Sequence, residues 1–157
     1  MTVRAVRNNN PGNIRIGAKW QGLMPLDQMT PEQVAEGEFC VFVSSAMGFR
    51  AMCQTLHTYH YAHGINTLRE AITRWAPPSE NNTEAYIKSV CDYTGIGPDQ
   101  PFPFSDEQHM AALLKAISIR ECGGWLFKMS DLYAGIEATT EPTQDTIAKL
   151  TGSMGRA

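Results

Sequence analysis

The chain has no apolar run long enough to span a membrane, and its N-terminus is polar where a secretory leader would be apolar. The expectation is a protein that does not insert into membranes, is made in a cytoplasm, and needs delivery to act outside it. Charge is scarce too: charged residues are 18% of the sequence, with 13 Lys and Arg against 16 Asp and Glu, for a formal net charge of −3. So few basic residues do not make a polyanion-binding face, which excludes nucleic acid as an expected partner. Cys40, Cys53, Cys91 and Cys122 include no CxxC pair, and a 157-residue chain needs no disulfide staples. They read as free, mostly buried thiols. No internal repeat or low-complexity linker divides the chain, so residues 1–157 read as one domain. One absence is local: no acidic residue occurs from Met1 to Val6, ahead of "RNNNPGNIRIGAKWQG" at 7–22.

The first forty-odd residues are rich in Gly, Pro and Asn. They hold two strand-like runs, Asn13 to Ile16 and Phe39 to Val43, with "TPEQVAEGE" between them as a helical turn or loop; this predicts a small β-lobe. Ser44 or Ser45 then caps a helix running to His63, with Phe49, Met52, Leu56, Tyr59 and His63 at helical spacing and Gly64 as the stop. Thr67 and Glu70 form a capping-box pattern for a second helix carrying Leu68, Ala71, Ile72 and Trp75, ended by Pro77 and Pro78. Asn81 and Glu84 predict the start of a third, with Tyr86, Ile87, Val90 and Tyr93 on its apolar side and Gly95 after it. Ser105 and Gln108 predict the start of a fourth, whose stripe is Met110, Leu113, Leu114 and Ile117 and whose end is Gly123-Gly124. One or two shorter helices and a polar tail follow Trp125. The fold class is α+β, mainly α, with a small N-terminal β-lobe.

Extending the fourth stripe by one turn reaches Glu121, four residues after Ile117 and eleven after Met110. A carboxylate on the core side of a helix C-terminus is desolvated and faces the negative end of the helix dipole; both effects favour the protonated, proton-donating form. The alternative is a structural glutamate paired with an arginine such as Arg74, or one frayed into solvent. Cys53, His57 and His60 form a second constellation, spaced for one helical face with His63 nearby, that suits zinc. That face also carries the apolar stripe, and His109 is the only distant histidine, so no metal or other cofactor is expected.

Three segments carry a resemblance. "AISIRECGGW" resembles the helix end that delivers the glutamate of lysozyme-superfamily enzymes. "NNPGNIRIGAKWQG" with "FCVFVSSAMGFRAM" resembles the segment downstream of that glutamate in flagellar-type glucosaminidases. "ENNTEAYIKSVCDY" resembles the tyrosine-bearing helix of soluble lytic transglycosylases. Compact phage virion proteins share the "NNPGNIR" start and the "RWAPPSENNT" centre. Those enzymes run glutamate, asparagine-rich turn, tyrosine helix, whereas this chain has the turn first and the glutamate last. The resemblance therefore implies a circularly permuted lysozyme-like domain, tolerable because domain termini often lie close together.

The implied function is cleavage of peptidoglycan glycan strands between N-acetylmuramic acid and N-acetylglucosamine, with Glu121 as catalytic acid. It would be made in a bacterial host cytoplasm and act in the periplasm or wall, as an endolysin or carried in the virion beside other virion proteins. Asn10, Asn13, Arg15, Trp20, Asn81 and Tyr86 are the expected substrate contacts. Each has a plain alternative: turn formation for the Asn-Pro-Gly residues, helix capping for Asn81, packing for Trp20 and Tyr86. Glu38 is the best placed second catalytic carboxylate, ahead of Glu36 and Asp27, although a solvated strand edge explains all three. A lytic transglycosylase needs no second carboxylate and is the favoured chemistry. A muramidase-type hydrolase and a non-catalytic virion or wall-binding protein are the alternatives.

Overall fold

A computed structural model describes residues 3–140, and the expected polar tail lies outside them. The core is organised around α6 (Glu107–Cys122), whose residues from Met110 to Ile119 are all buried or half-buried. Met110, Leu113, Leu114 and Ile117 are fully buried as the stripe predicts, and Ala111, Ala116 and Ser118 are buried beside them. The helix packs on α5 (Thr83–Thr94), α7 (Met129–Ala138) and the long α3 (Ser45–His63), while α4 (Leu68–Trp75) lies on α5. The α3–α7 contact is tight at Gly135, where an added Cβ would sit 2.6 Å from Cβ of Phe49. Only a glycine admits two backbones that near.

Helix boundaries follow local chemistry. Ser44 caps α3 and Gly64, at φ +67°, ends it. Thr67 accepts from the Glu70 amide, and the Glu70 carboxylate reaches back to the Asn66 amide. Two predicted caps move by one residue. Asn82, not Asn81, accepts from the Ala85 amide at 3.2 Å to start α5, while Asn81 donates to the Pro77 carbonyl. Asp106, not Ser105, starts α6, accepting from the His109 amide at 2.9 Å. A carboxylate is the stronger acceptor beside the positive helix end. Tyr93, expected on the α5 stripe, is 45% exposed.

The N-terminal region contains two helices: α1 (Arg4–Arg7), which the sequence did not announce, and α2 (Pro31–Glu36), which settles "TPEQVAEGE" as a capped helical turn. The expected β-lobe has no regular strand among the described residues. Its extended segments meet at single bridges, Arg15 with Phe39 and Leu23 with Phe42. At each bridge a pair of backbone hydrogen bonds joins the segments: the Ile16 and Cys40 amides to the Glu38 and Ile14 carbonyls, and the Met24 and Val43 amides to the Val41 and Gly22 carbonyls. Asparagines add to these. Asn10 is wholly buried; its amide donates to the carbonyls of Ile14 and Cys40 and accepts from the Ile14 amide. Asn9, at φ +51°, donates to the Phe42 carbonyl, and buried Asn8 donates to Glu36, which is ion-paired with Arg7. The mainly helical expectation is met, and the lobe is held by short backbone pairings together with these side-chain amides.

Candidate active site

The last turn of α6 meets the Asn-Pro-Gly turn. The Cys122 thiol donates to the Pro11 carbonyl, and the Asn13 amide makes long contacts of 3.4 Å with both the Glu121 carbonyl and Glu121 Oε1. Asn13 sits at φ +48°, a left-handed conformation that asparagine tolerates better than most residues. From the opposite side the Tyr86 hydroxyl donates to Glu121 Oε2 at 2.8 Å. Tyr86 is 2% exposed, and burial, then the Glu121 charge and this hydrogen bond, push its pKa far upward; it stays a donor. The Trp75 side chain lines the same cleft as Glu121 and acts on the Tyr86 hydroxyl, partly offsetting the upward shift. Glu121 forms no ion pair among the described residues; Arg74 is not its partner.

Glu121 lies in the wall of a cleft of about 630 Å³ that Asn13, Arg15, Trp20 and Asn81 also line. Five of the expected residues thus meet there, and Tyr86 joins them through its hydrogen bond. Two expectations are corrected. Asn10 cannot contact a ligand, because its side chain is enclosed and its amide is spent on backbone groups. Glu38 does not line the cleft; its side chain is 68% exposed and faces Arg15 at 3.8 Å. Glu36 is committed to Arg7, and Asp27 is exposed on a short 3-10 turn, Leu26–Gln28. The second carboxylate lining the cleft is Glu80, on the turn after the two prolines, where no periodicity marks it.

Two buried polar atoms of cleft residues, Asn13 Oδ1 and Trp20 Nε1, have no hydrogen-bond partner among the described residues. One is an acceptor and the other a donor, and both are enclosed, so neither meets the open space of the cleft. Replacing Tyr86 by Phe removes the donor to Glu121; at roughly 1–1.5 kcal/mol for such a bond, activity dependent on Glu121 should fall about tenfold. Initial rates of Tyr86→Phe, with its melting temperature as a control, check this.

The zinc constellation does not assemble. No group of three or more metal-ligating side chains is close enough to hold an ion among the described residues. His60 contacts the Ile65 carbonyl through Nδ1 and stacks on Phe104, and burial raises the Cys53 thiol to about 11. All four cysteines are free, Cys40 and Cys53 buried and the other two partly so. No helix among the described residues is long and apolar enough to cross a membrane.

No protein-family model matches the chain. It is 34% identical over 138 residues to Protein P5 of Pseudoalteromonas phage PM2, a match spanning 85% of this chain and 80% of that protein.

Proposed function

The chain belongs to the family of Protein P5 of Pseudoalteromonas phage PM2, and we propose that it is a phage-encoded enzyme that cuts peptidoglycan glycan strands with Glu121 as general acid. One observation carries the reading: a cleft-lining carboxylate, without a cation, is addressed on its two oxygens by Tyr86 and Asn13 from separate parts of the chain. A glutamate that merely stabilises a fold is normally paired with a cation when it leaves water. A non-catalytic wall-binding virion protein would need the cleft but not this arrangement. Asn13, Arg15, Trp20 and Asn81 line the same cleft and give it the mixed polar and aromatic wall that suits amino sugars. The reading includes a lysozyme-like, circularly permuted domain, supported by the convergence of turn, tyrosine helix and glutamate despite their altered order.

Glu121 protonates the glycosidic oxygen as the bond to the muramyl C1 breaks. In a lytic transglycosylase the resulting carboxylate then takes the proton of the muramyl 6-hydroxyl while that oxygen bonds to C1, closing a 1,6-anhydro ring and restoring the acid. A hydrolase would instead need a second carboxylate for water, separated by roughly 6.5–9.5 Å in the inverting kind. Glu38, Glu36 and Asp27 stand outside the cleft, and Glu80 sits on an exposed turn, so we favour transglycosylation. The enzyme would be made in the host cytoplasm and reach the wall either at lysis or within the virion.

Turbidity clearing of purified wall tests the reading against a structural role. Glu38→Gln is expected to clear nearly as fast as the wild type. Glu80→Gln should keep most of its rate under transglycosylation, and a loss of about a hundredfold with reducing-end products would assign Glu80 to a hydrolase.

A further inference from the structure

The chain carries a net charge of −3, yet the cleft holding Glu121 is lined by three arginines, Arg4, Arg15 and Arg74, against two glutamates. Arg4 and Arg74 have no carboxylate within ion-pair distance among the described residues. Arg15 meets Glu38 at 3.8 Å, but both side chains are more than half exposed, so water and salt screen that pair. Each guanidinium is backed by an aromatic ring. Arg4 lies 3.8 Å from the Phe39 centroid and Arg15 4.9 Å from the same ring, while Arg74 lies 5.3 Å from Tyr59. A ring face attracts a guanidinium without using up its N–H groups. A guanidinium with no carboxylate partner is suited to bidentate binding of carboxylates.

We infer that Arg4, Arg15 and Arg74 recognise the carboxylates of the stem peptides on the muramyl residues, making the substrate the peptide-bearing strand rather than a neutral amino-sugar polymer. This rests on the glycan-strand reading and adds to it the feature by which the strand is selected. Arg4 belongs to a helix of four residues and Arg74 to the polar side of α4, so both escape a search for periodic patterns.

The test uses the full chain carrying Glu121→Gln, so that ligands are not turned over. Calorimetric titration compares a muramyl tetrasaccharide bearing stem peptides with chitotetraose, a neutral backbone of equal length. The peptide-bearing ligand should bind about tenfold more tightly or better at low salt, as one charge-assisted bidentate contact warrants. Added salt should erode the preference. Adding Arg4→Gln and Arg74→Gln should remove most of it, and Arg4→Lys with Arg74→Lys should restore part, because charge returns without the fork. If the double variant melts early, the single variants supply the same comparison.

Equal binding of the two ligands, no binding of either, or a preference unaltered by the Gln substitutions would overturn the inference. Tighter binding of a single-stranded DNA oligonucleotide than of the peptide-bearing ligand would overturn it in favour of phosphate recognition. A wild-type protein that shows the preference but releases no fragments from wall would remove the catalytic reading alone. Fragment release without the preference would remove only the stem-peptide inference.

Discussion

Glu121→Gln should lower wall clearing by at least about a hundredfold, the contribution of a positioned general acid. The substitution keeps the volume of the side chain and an oxygen able to accept from Tyr86, so the hydrogen bond at 2.8 Å has a successor and the fold should persist. What disappears is the transferable proton. Because Glu121 forms no ion pair among the described residues, the change strands no buried cation, and melting should stay close to the wild type. Near wild-type clearing by a folded Glu121→Gln protein would refute the assignment. Loss of clearing accompanied by loss of the cooperative melt would instead identify Glu121 as structural.

Asn10→Ala should show the opposite pattern, with its largest effect on stability. The Asn10 amide satisfies the carbonyls of Ile14 and Cys40 and the amide of Ile14, two of these bonds at 2.9 Å and one at 3.0 Å. Alanine leaves the Cys40 carbonyl and the Ile14 amide without that partner, at about 1–3 kcal/mol for a group that stays unsatisfied, while the Ile14 carbonyl keeps the Cys40 amide. That is a sizeable part of the roughly 5–15 kcal/mol that holds a domain together. The Asn13 turn and the bridge between Arg15 and Phe39 should loosen with it, lowering the melting temperature by several degrees or more. Chemical or thermal denaturation reads the effect; an unchanged melt would mean that water replaces the amide, and that the lobe is not held by this side chain.

Asn10 and Glu121 also mark the boundary between what could be read from sequence and what could not. Glu121 was legible because a helical period, repeated from Met110 through Ile117, fixes the face of the next turn. The same logic reached Tyr86 on α5. Asn10 was not legible as structural, since an asparagine in an Asn-Pro-Gly turn has the same local signature whether it faces a ligand or a distant carbonyl. Its role is decided by Cys40, thirty residues away. Trp75 was read as part of an apolar stripe, and that position is equally compatible with pure packing and with lining the cleft. Glu80 and Arg4 lie in a turn and a four-residue helix, where no period exists to assign a face. The caps slipped by one residue because Asn81 and Asn82 are chemically equal, and only the backbone geometry of the preceding turn selects between them. Regular strands were expected from extended, apolar runs, but the backbone pairing is confined to a single bridge at each place, with the amides of Asn9 and Asn10 tying neighbouring carbonyls.

The central claim is that Glu121 drives non-hydrolytic cleavage of glycan strands, and mass spectrometry of the soluble products from purified peptidoglycan tests it most directly. Digestion with the wild-type protein should release muropeptide fragments ending in 1,6-anhydro-muramic acid, with no such fragments from Glu121→Gln. Fragments with reducing muramic ends would contradict the transglycosylase chemistry, and no glycan fragments at all from the folded wild-type protein would contradict the account as a whole.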